Sequence, residues 1–309
     1  MFITSTWRWT MAFSALATAA ALTAFVPTSG TAYAATPDGD VSVDVVGGHV
    51  ATEPYPAMAS LQIATPDNPH QHICGATLVS RQWAVTNAHC VTAPSGAVMP
   101  PQMIHLRIGS HDRTTAGEYV GVTAVLPHAE WDWATGTNRV ADIAMIRLDR
   151  YVQLQQIEIA TRLQRGRAVA RVLGFGTTEP AGDGDLPTML QELDTRLVPD
   201  GRCTAGGISE GEICVNNVHG TDGICYGDSG GPVMQRTQGR WQLIGGASRG
   251  TTDDGCGTGP AIFTDTTYYR TWMFDVMRTG KVPPAAPGAA PAPPSTATAA
   301  TRSWHGLAA

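Results

Sequence analysis

The chain has 309 residues, 43% of them apolar and only 15% charged, with a formal net charge of −6. That apolar content can fill a real core, and the acidic balance without a basic cluster excludes a nucleic-acid binder. Thirty-four glycines beside so few charges suit short strands and many turns rather than long helices.

Residues 1–34 read as a secretory signal peptide, with Arg8 as the one charge, an apolar run Met11–Val26 and the small-x-small end Ala32-Tyr33-Ala34. The run falls short of the roughly 20 residues a spanning helix needs and stops at Pro27. Export, cleavage and no later membrane attachment are therefore expected. Residues 35–44 are polar, acidic and short.

Strand-length runs of apolar and β-branched residues follow at Ala57–Ala64, Gly75–Val79, Trp83–Asn87, Ile104–Ile108, Tyr119–Leu126 and Ile143–Leu148. A second set covers Val169–Phe175, Leu190–Val198, Gly211–Val215, Pro232–Gln235, Trp241–Ala247 and Ala261–Thr264. Near the end, Tyr269, Trp272, Met273 and Val276 recur at helical spacing within Tyr268–Met277. Beyond residue 280 the chain becomes Pro/Ala-rich and reads as an extended tail, 281–309.

The stretch Gly223–Pro232, G-I-C-Y-G-D-S-G-G-P, places Ser229 in a glycine-rich turn that lifts its hydroxyl beside bare N–H groups. Such a turn suits nucleophilic attack on a carbonyl, with the N–H groups of Gly227 and Ser229 to hold the oxyanion. A serine needs a histidine base and a carboxylate to orient that base. The same letters fit the nucleophile elbow of α/β-hydrolases, whose acid and histidine follow the serine. Here only His305, in the tail, follows Ser229. Upstream, His89 lies in W-A-V-T-N-A-H-C and Asp142 in A-D-I-A-M-I-R-L, which gives the order His, Asp, Ser.

That order, with V-V-G-G at Val45–Gly48, C-G-A-T-L-V-S at Cys74–Ser80 and G-F-G-T-T at Gly174–Thr178, resembles the chymotrypsin/trypsin-like serine proteases. The resemblance runs from Val45 to about Met277. It implies an all-β fold of two six-stranded antiparallel barrels with a C-terminal helix, residues 45–280. Residues 35–44 become a propeptide, because Val45 opens the family's mature N-terminus. His89, Asp142 and Ser229 would form the triad, and the freed amine of Val45 would pair with Asp228. Six cysteines in an exported protein should pair, in any of fifteen ways. The resemblance selects Cys74–Cys90, Cys203–Cys214 and Cys225–Cys256.

The family pattern also assigns the substrate pocket. Gly223 stands at its base, where trypsin-like relatives carry Asp, and Asp222 is one residue away. Ile224, Tyr226 and Ala261 border it, and Ser248, Arg249 and Gly250 match the strand that pairs with substrate. An uncharged pocket for small-to-medium apolar residues is expected, with trypsin-like specificity as the alternative should Asp222 enter. Arg249 is read either as favouring acidic groups further from the cut or as a solvated arginine. His70 and His72 are read as part of a solvent-facing loop.

These residues lead to a secreted serine endopeptidase, expected as a monomer without cofactor or metal, acting on proteins or peptides. A cut after Asp44 finds no cation in such a pocket, so a separate activating protease is expected. The competing classes are a protease-fold binding protein that never cuts, and an esterase.

Overall fold

The structure is a computed structural model that describes residues 45–133, 141–217, 219–252 and 254–285. The expected signal peptide (1–34), the propeptide (35–44) and the tail beyond residue 285 lie outside the described residues.

Six strands close the first barrel: β2 (Met58–Ile63), β3 (Gln71–Ser80), β4 (Trp83–Thr86), β5 (Ile104–Ile108), β6 (Glu118–Pro127) and β7 (Ala144–Leu148). Around the barrel they run β2-β3-β4-β7-β6-β5, antiparallel throughout. Period-two alternation explains the facing. In β5, Ile104, Leu106 and Ile108 are buried while His105 and Arg107 stand nearer solvent. They meet Leu61, Leu78 and Ile146 in the barrel core. Truncating any one of these to alanine is expected to cost about 2–5 kcal/mol.

The second barrel uses β9 (Val169–Gly174), β10 (Gln191–Val198), β11 (Glu212–Val215), β12 (Pro232–Thr237), β13 (Arg240–Gly250) and β14 (Ala261–Asp265). The path β10-β11-β14-β13-β12-β9 closes because β9 also pairs with β10. Phe263, Ile213, Val172 and Ile244 fill it. Two short strands went unread in the sequence, β1 (His49–Val50) on β10 and β8 (Glu158–Ile159) on β13. Two residues carry too little pattern to signal a strand.

The C-terminal helix α1 spans Arg270–Thr279. Its buried Met273 and Val276, with Tyr269 just ahead, pack on Trp83 and Met145 of the first barrel and on Leu243 of the second. The helix stops at Gly280, whose N–H donates to Val276 O at 2.8 Å from a left-handed conformation (φ 66°). Cys74–Cys90, Cys203–Cys214 and Cys225–Cys256 are joined as disulfides.

Candidate active site

His89 does not sit on the strand that leads to it. β4 ends at Thr86, and Ala88–Cys90 form one turn of 3-10 helix behind Asn87, held by the disulfide from Cys90 to Cys74 of β3. Thr92 reinforces the turn, its hydroxyl donating to Ala88 O at 2.8 Å. Thr92 Oγ1 also accepts the indole N–H groups of Trp131 (2.8 Å) and Trp133 (2.7 Å), so all three bonds a hydroxyl can make are in use. Trp133 is thereby brought edge-on to the His89 ring, centroids 6.2 Å apart.

Asp142 arrives just ahead of β7 on a tight turn. Ala141 takes a left-handed φ of 53°, and Ile143 N–H donates to Ala141 O at 2.7 Å. The turn points the carboxylate inward. Oδ1 accepts the His89 backbone N–H at 2.9 Å. Oδ2 accepts from His89 Nδ1 (2.8 Å), the Ser248 hydroxyl (2.6 Å) and Asn87 Nδ2 (3.1 Å). Thr264 completes the cage by donating to Asp142 O while accepting from Asn87 Nδ2. Burial alone would push this carboxyl up; the charge and hydrogen bond of His89 and the Ser248 hydroxyl outweigh it and hold it well below the usual range. With Nδ1–H directed at Asp142, Nε2 is the nitrogen left as a base.

Ser229 lies in the loop between Cys225 and β12. Gly227 and Gly230 flank its neighbourhood with φ of 96° and 76°, which side-chain-bearing residues rarely adopt. At Gly230 a Cβ would also strike the Thr86 hydroxyl and the Gly75 carbonyl. The loop docks on the first barrel through Gly75 N–H, which donates to Ser229 O at 2.7 Å. The N–H groups of Asp228 and Gly230 are taken by Cys225 O and Ala247 O. The two proposed oxyanion donors, on Gly227 and Ser229, alternate with them.

Asp228 is completely buried. Its oxygens accept Gly176 N–H and Cys225 N–H, both at 2.8 Å, and burial pushes its pKa up to about 7 against those two bonds. Val45, its expected partner, is buried in the uncleaved chain, where its nitrogen is a peptide amide and not a free amine. Val46 O accepts Gly223 N–H at 2.9 Å, so the segment after Val45 already lies against the Gly223 loop.

Two expectations change here, for His72 and for Arg249. His72 is not in a solvent-facing loop: β3 begins at Gln71, four residues before the expected strand, and turns His72 inward to 1% exposure. Its Nδ1 meets Ser60 Oγ (2.7 Å) and its Nε2 meets Gly227 O (2.9 Å). A carbonyl can only accept, so Nε2 carries the proton, and burial lowers the pKa to about 4. Asp222 borders the cavity lined by Gly223, Ile224 and Ala261, with its carboxylate held by His219. It accepts His219 N–H (2.9 Å) and pairs with His219 Nδ1 (3.0 Å). Arg249 is neither solvated nor directed at substrate: it is 11% exposed and ion-paired to Glu212.

Of the other pocket residues, Gly250 pairs with Ala261 across β13 and β14, which sets two walls side by side. Ile224 packs against the second core, and Tyr226 is largely exposed at the rim. Asn87, Thr264, His72 and Gly176 were missed in the sequence. Asn87 carried a signal, as a polar residue beside Thr86 in the apolar run before His89, and Gly176 lies within the Gly174–Thr178 motif.

A family model described as Trypsin matches residues 45–273. Mouse transmembrane protease serine 11C is 30% identical over 244 residues, covering 74% of this chain and 52% of that protein. Rat chymotrypsin-like elastase family member 1 is 29% identical over 257 residues, 77% of this chain and 91% of that protein. The CLIP domain-containing serine protease B15 of Anopheles gambiae is 28% identical over 233 residues, 66% and 61% of the two chains. The chain thus spans about half to nine-tenths of the length of these relatives. It belongs to the trypsin family of serine proteases. No helix among the described residues is long and apolar enough to cross a membrane.

Proposed function

We propose that the chain is a secreted serine endopeptidase, monomeric, made with a signal peptide (1–34) and a propeptide (35–44), and active after cleavage before Val45. The observation that carries the reading is the Asp142 carboxylate, caged by four donors and hydrogen-bonded to His89 Nδ1 at 2.8 Å. In this reading His89 Nε2 takes the Ser229 proton as Oγ bonds to the substrate carbonyl carbon. The resulting oxyanion is held by the N–H groups of Gly227 and Ser229. Collapse breaks the C–N bond, and the leaving amine takes the proton from His89. Water then opens the acyl-enzyme ester, with His89 again as base.

The pocket reading favours uncharged residues before the cut. Gly223, Ile224 and Ala261 offer no charge, and Asp222 is engaged by His219. With no cation to receive Asp44, a separate protease is proposed to free Val45, whose amine then pairs with Asp228.

Labelling of the processed protein by a sulfonyl fluoride, with the adduct located by mass spectrometry, tests the chemistry. Modification at Ser229 and cleavage of a peptide library after Ala, Val, Leu or Met are expected. A protein that neither labels nor cuts is a binding protein of this fold. Cuts dominated by Arg or Lys overturn the pocket assignment and implicate Asp222.

A further inference from the structure

Arg249 lies beside Ser248 on β13, and its guanidinium uses every N–H it has. Nε donates to Gly206 O at 2.9 Å and Nη2 to Gly207 O at 3.0 Å. Nη1 and Nη2 clasp Glu212 at 2.5 and 2.9 Å. The fifth N–H, on Nη1, reaches Ser248 Oγ at 3.3 Å. Glu212 is only 2% exposed, and its Oε2 also accepts the N–H and hydroxyl of Ser209. An arginine fork matched on all five donors is rigid, and lysine, with its single ammonium, cannot reproduce it.

Ser248 stands between this pair and the site. Its one proton goes to Asp142 Oδ2 at 2.6 Å, and its oxygen faces Arg249 Nη1. A hydroxyl rotates freely unless both roles are set. Here the cation supplies the donor on one side and the carboxylate the acceptor on the other, so the hydroxyl has one direction. A continuous chain of bonds joins Glu212, Arg249, Ser248, Asp142 and His89.

We propose that Arg249, held by Glu212, is a positioning residue for the Asp142–His89 pair, orienting Ser248 toward the carboxylate and tying the Gly206–Ser209 loop to it. The inference rests on the serine peptidase reading above. It also assigns the balance of charge. The bonds through Ser248 and Asp142 put Arg249 within about 9 Å of His89 Nδ1, near enough in a buried site for an uncompensated cation to disfavour a protonated imidazole there. Glu212 cancels that field in the intact protein. Around the pair, Glu130 and Glu210 act on the Tyr268 phenol, Glu130 and Glu212 itself on Tyr269, the His128 ring lies against Tyr269, and Asp265 ends the strand that pairs with β11. The double variant controls for the change at Tyr269.

The test is the pH dependence of kcat/KM for the active enzyme and for Glu212→Gln, Arg249→Gln and the double variant. Removing Glu212 leaves the cation alone, and the limb on which activity rises with pH should move about 0.5–1 pH unit lower. Removing Arg249 leaves the anion alone, and the limb should move higher; the double variant should return it to the parent position. In both single variants kcat should fall several-fold with KM little changed, and Arg249→Lys should not restore it. A merely structural pair would not give displacements of opposite sign that cancel. Should Arg249→Gln fail to fold, Glu212→Gln decides alone, being nearly isosteric. Limbs that stay in place while the parent remains active overturn this assignment and leave the peptidase reading intact. A parent that neither cuts nor labels at Ser229 overturns both.

Discussion

Asp142 and Asp228 are both buried carboxylates of the proposed site, yet their surroundings treat charge in opposite ways. Asp142 receives four hydrogen bonds and a neighbouring imidazole, which together outweigh burial and keep it ionised. Asp228 receives two backbone N–H bonds, no ion pair to it occurs among the described residues, and burial prevails. The first is a completed electrostatic site. The second rests on two N–H groups alone and, under the proposed function, receives the Val45 amine only after cleavage. The comparison teaches that burial fixes how much a charge costs, while the donors that converge on it decide whether the charge survives.

The largest effect should come from Asp142. Asparagine in its place keeps the size but offers an amide N–H toward His89, disfavouring the tautomer with a free Nε2. A fall in kcat of about 10⁴-fold is expected, measured as steady-state peptide hydrolysis on a protein whose circular dichroism is unchanged. A loss below tenfold would remove the basis for treating Asp142 as the completed site.

Asp228→Asn sharpens the contrast through stability. An unfolded aspartate ionises near 3.9, whereas folded Asp228 keeps its proton to about 7. Between those pH values the unfolded state binds fewer protons, so the uncleaved parent should lose stability as pH rises. The asparagine variant lacks that slope and should be the more stable protein above pH 7, by at most about 4 kcal/mol. Urea unfolding of both uncleaved proteins from pH 4 to 8 reads the difference. Asp142 has the opposite sign: its folded value is depressed, so its contribution is present above the unfolded value and disappears as pH falls. After cleavage the Asp228 ranking should reverse, because breaking a buried pair costs about 3–5 kcal/mol. Parallel slopes before cleavage would mean that a cation already serves Asp228.

His72 gives the smallest effect. This imidazole holds the carbonyl of Gly227, next to Asp228, but burial keeps it neutral down to about pH 4. An unfolded histidine takes its proton near 6.5, so stability should fall as pH drops from 6.5 to 4, by at most about 3 kcal/mol. His72→Gln should lack that acid slope in urea unfolding. A parent slope no steeper than the variant's would show that His72 is protonated in the fold.

How much of this was legible beforehand depends on how local the signal was. The chain order of His89, Asp142 and Ser229, the glycines around Ser229 and the twelve longer strand runs are patterns within a few residues, so the sequence by itself determined the family, the all-β class and the principal groups. Even so, it placed His89 after a strand without showing the 3-10 turn, since three residues closed by a disulfide leave no periodicity. Only the tertiary structure decided the partners. Asn87, Ser248 and Thr264 converge on Asp142 from three elements, Gly176 reaches Asp228 across 52 positions, and Glu212 reaches Arg249 across 37. A side chain's hydrogen-bond partner, unlike its periodicity, depends on which strands lie side by side. That is why the readings of Arg249 as solvated or substrate-facing and of His72 as exposed changed once the barrels closed.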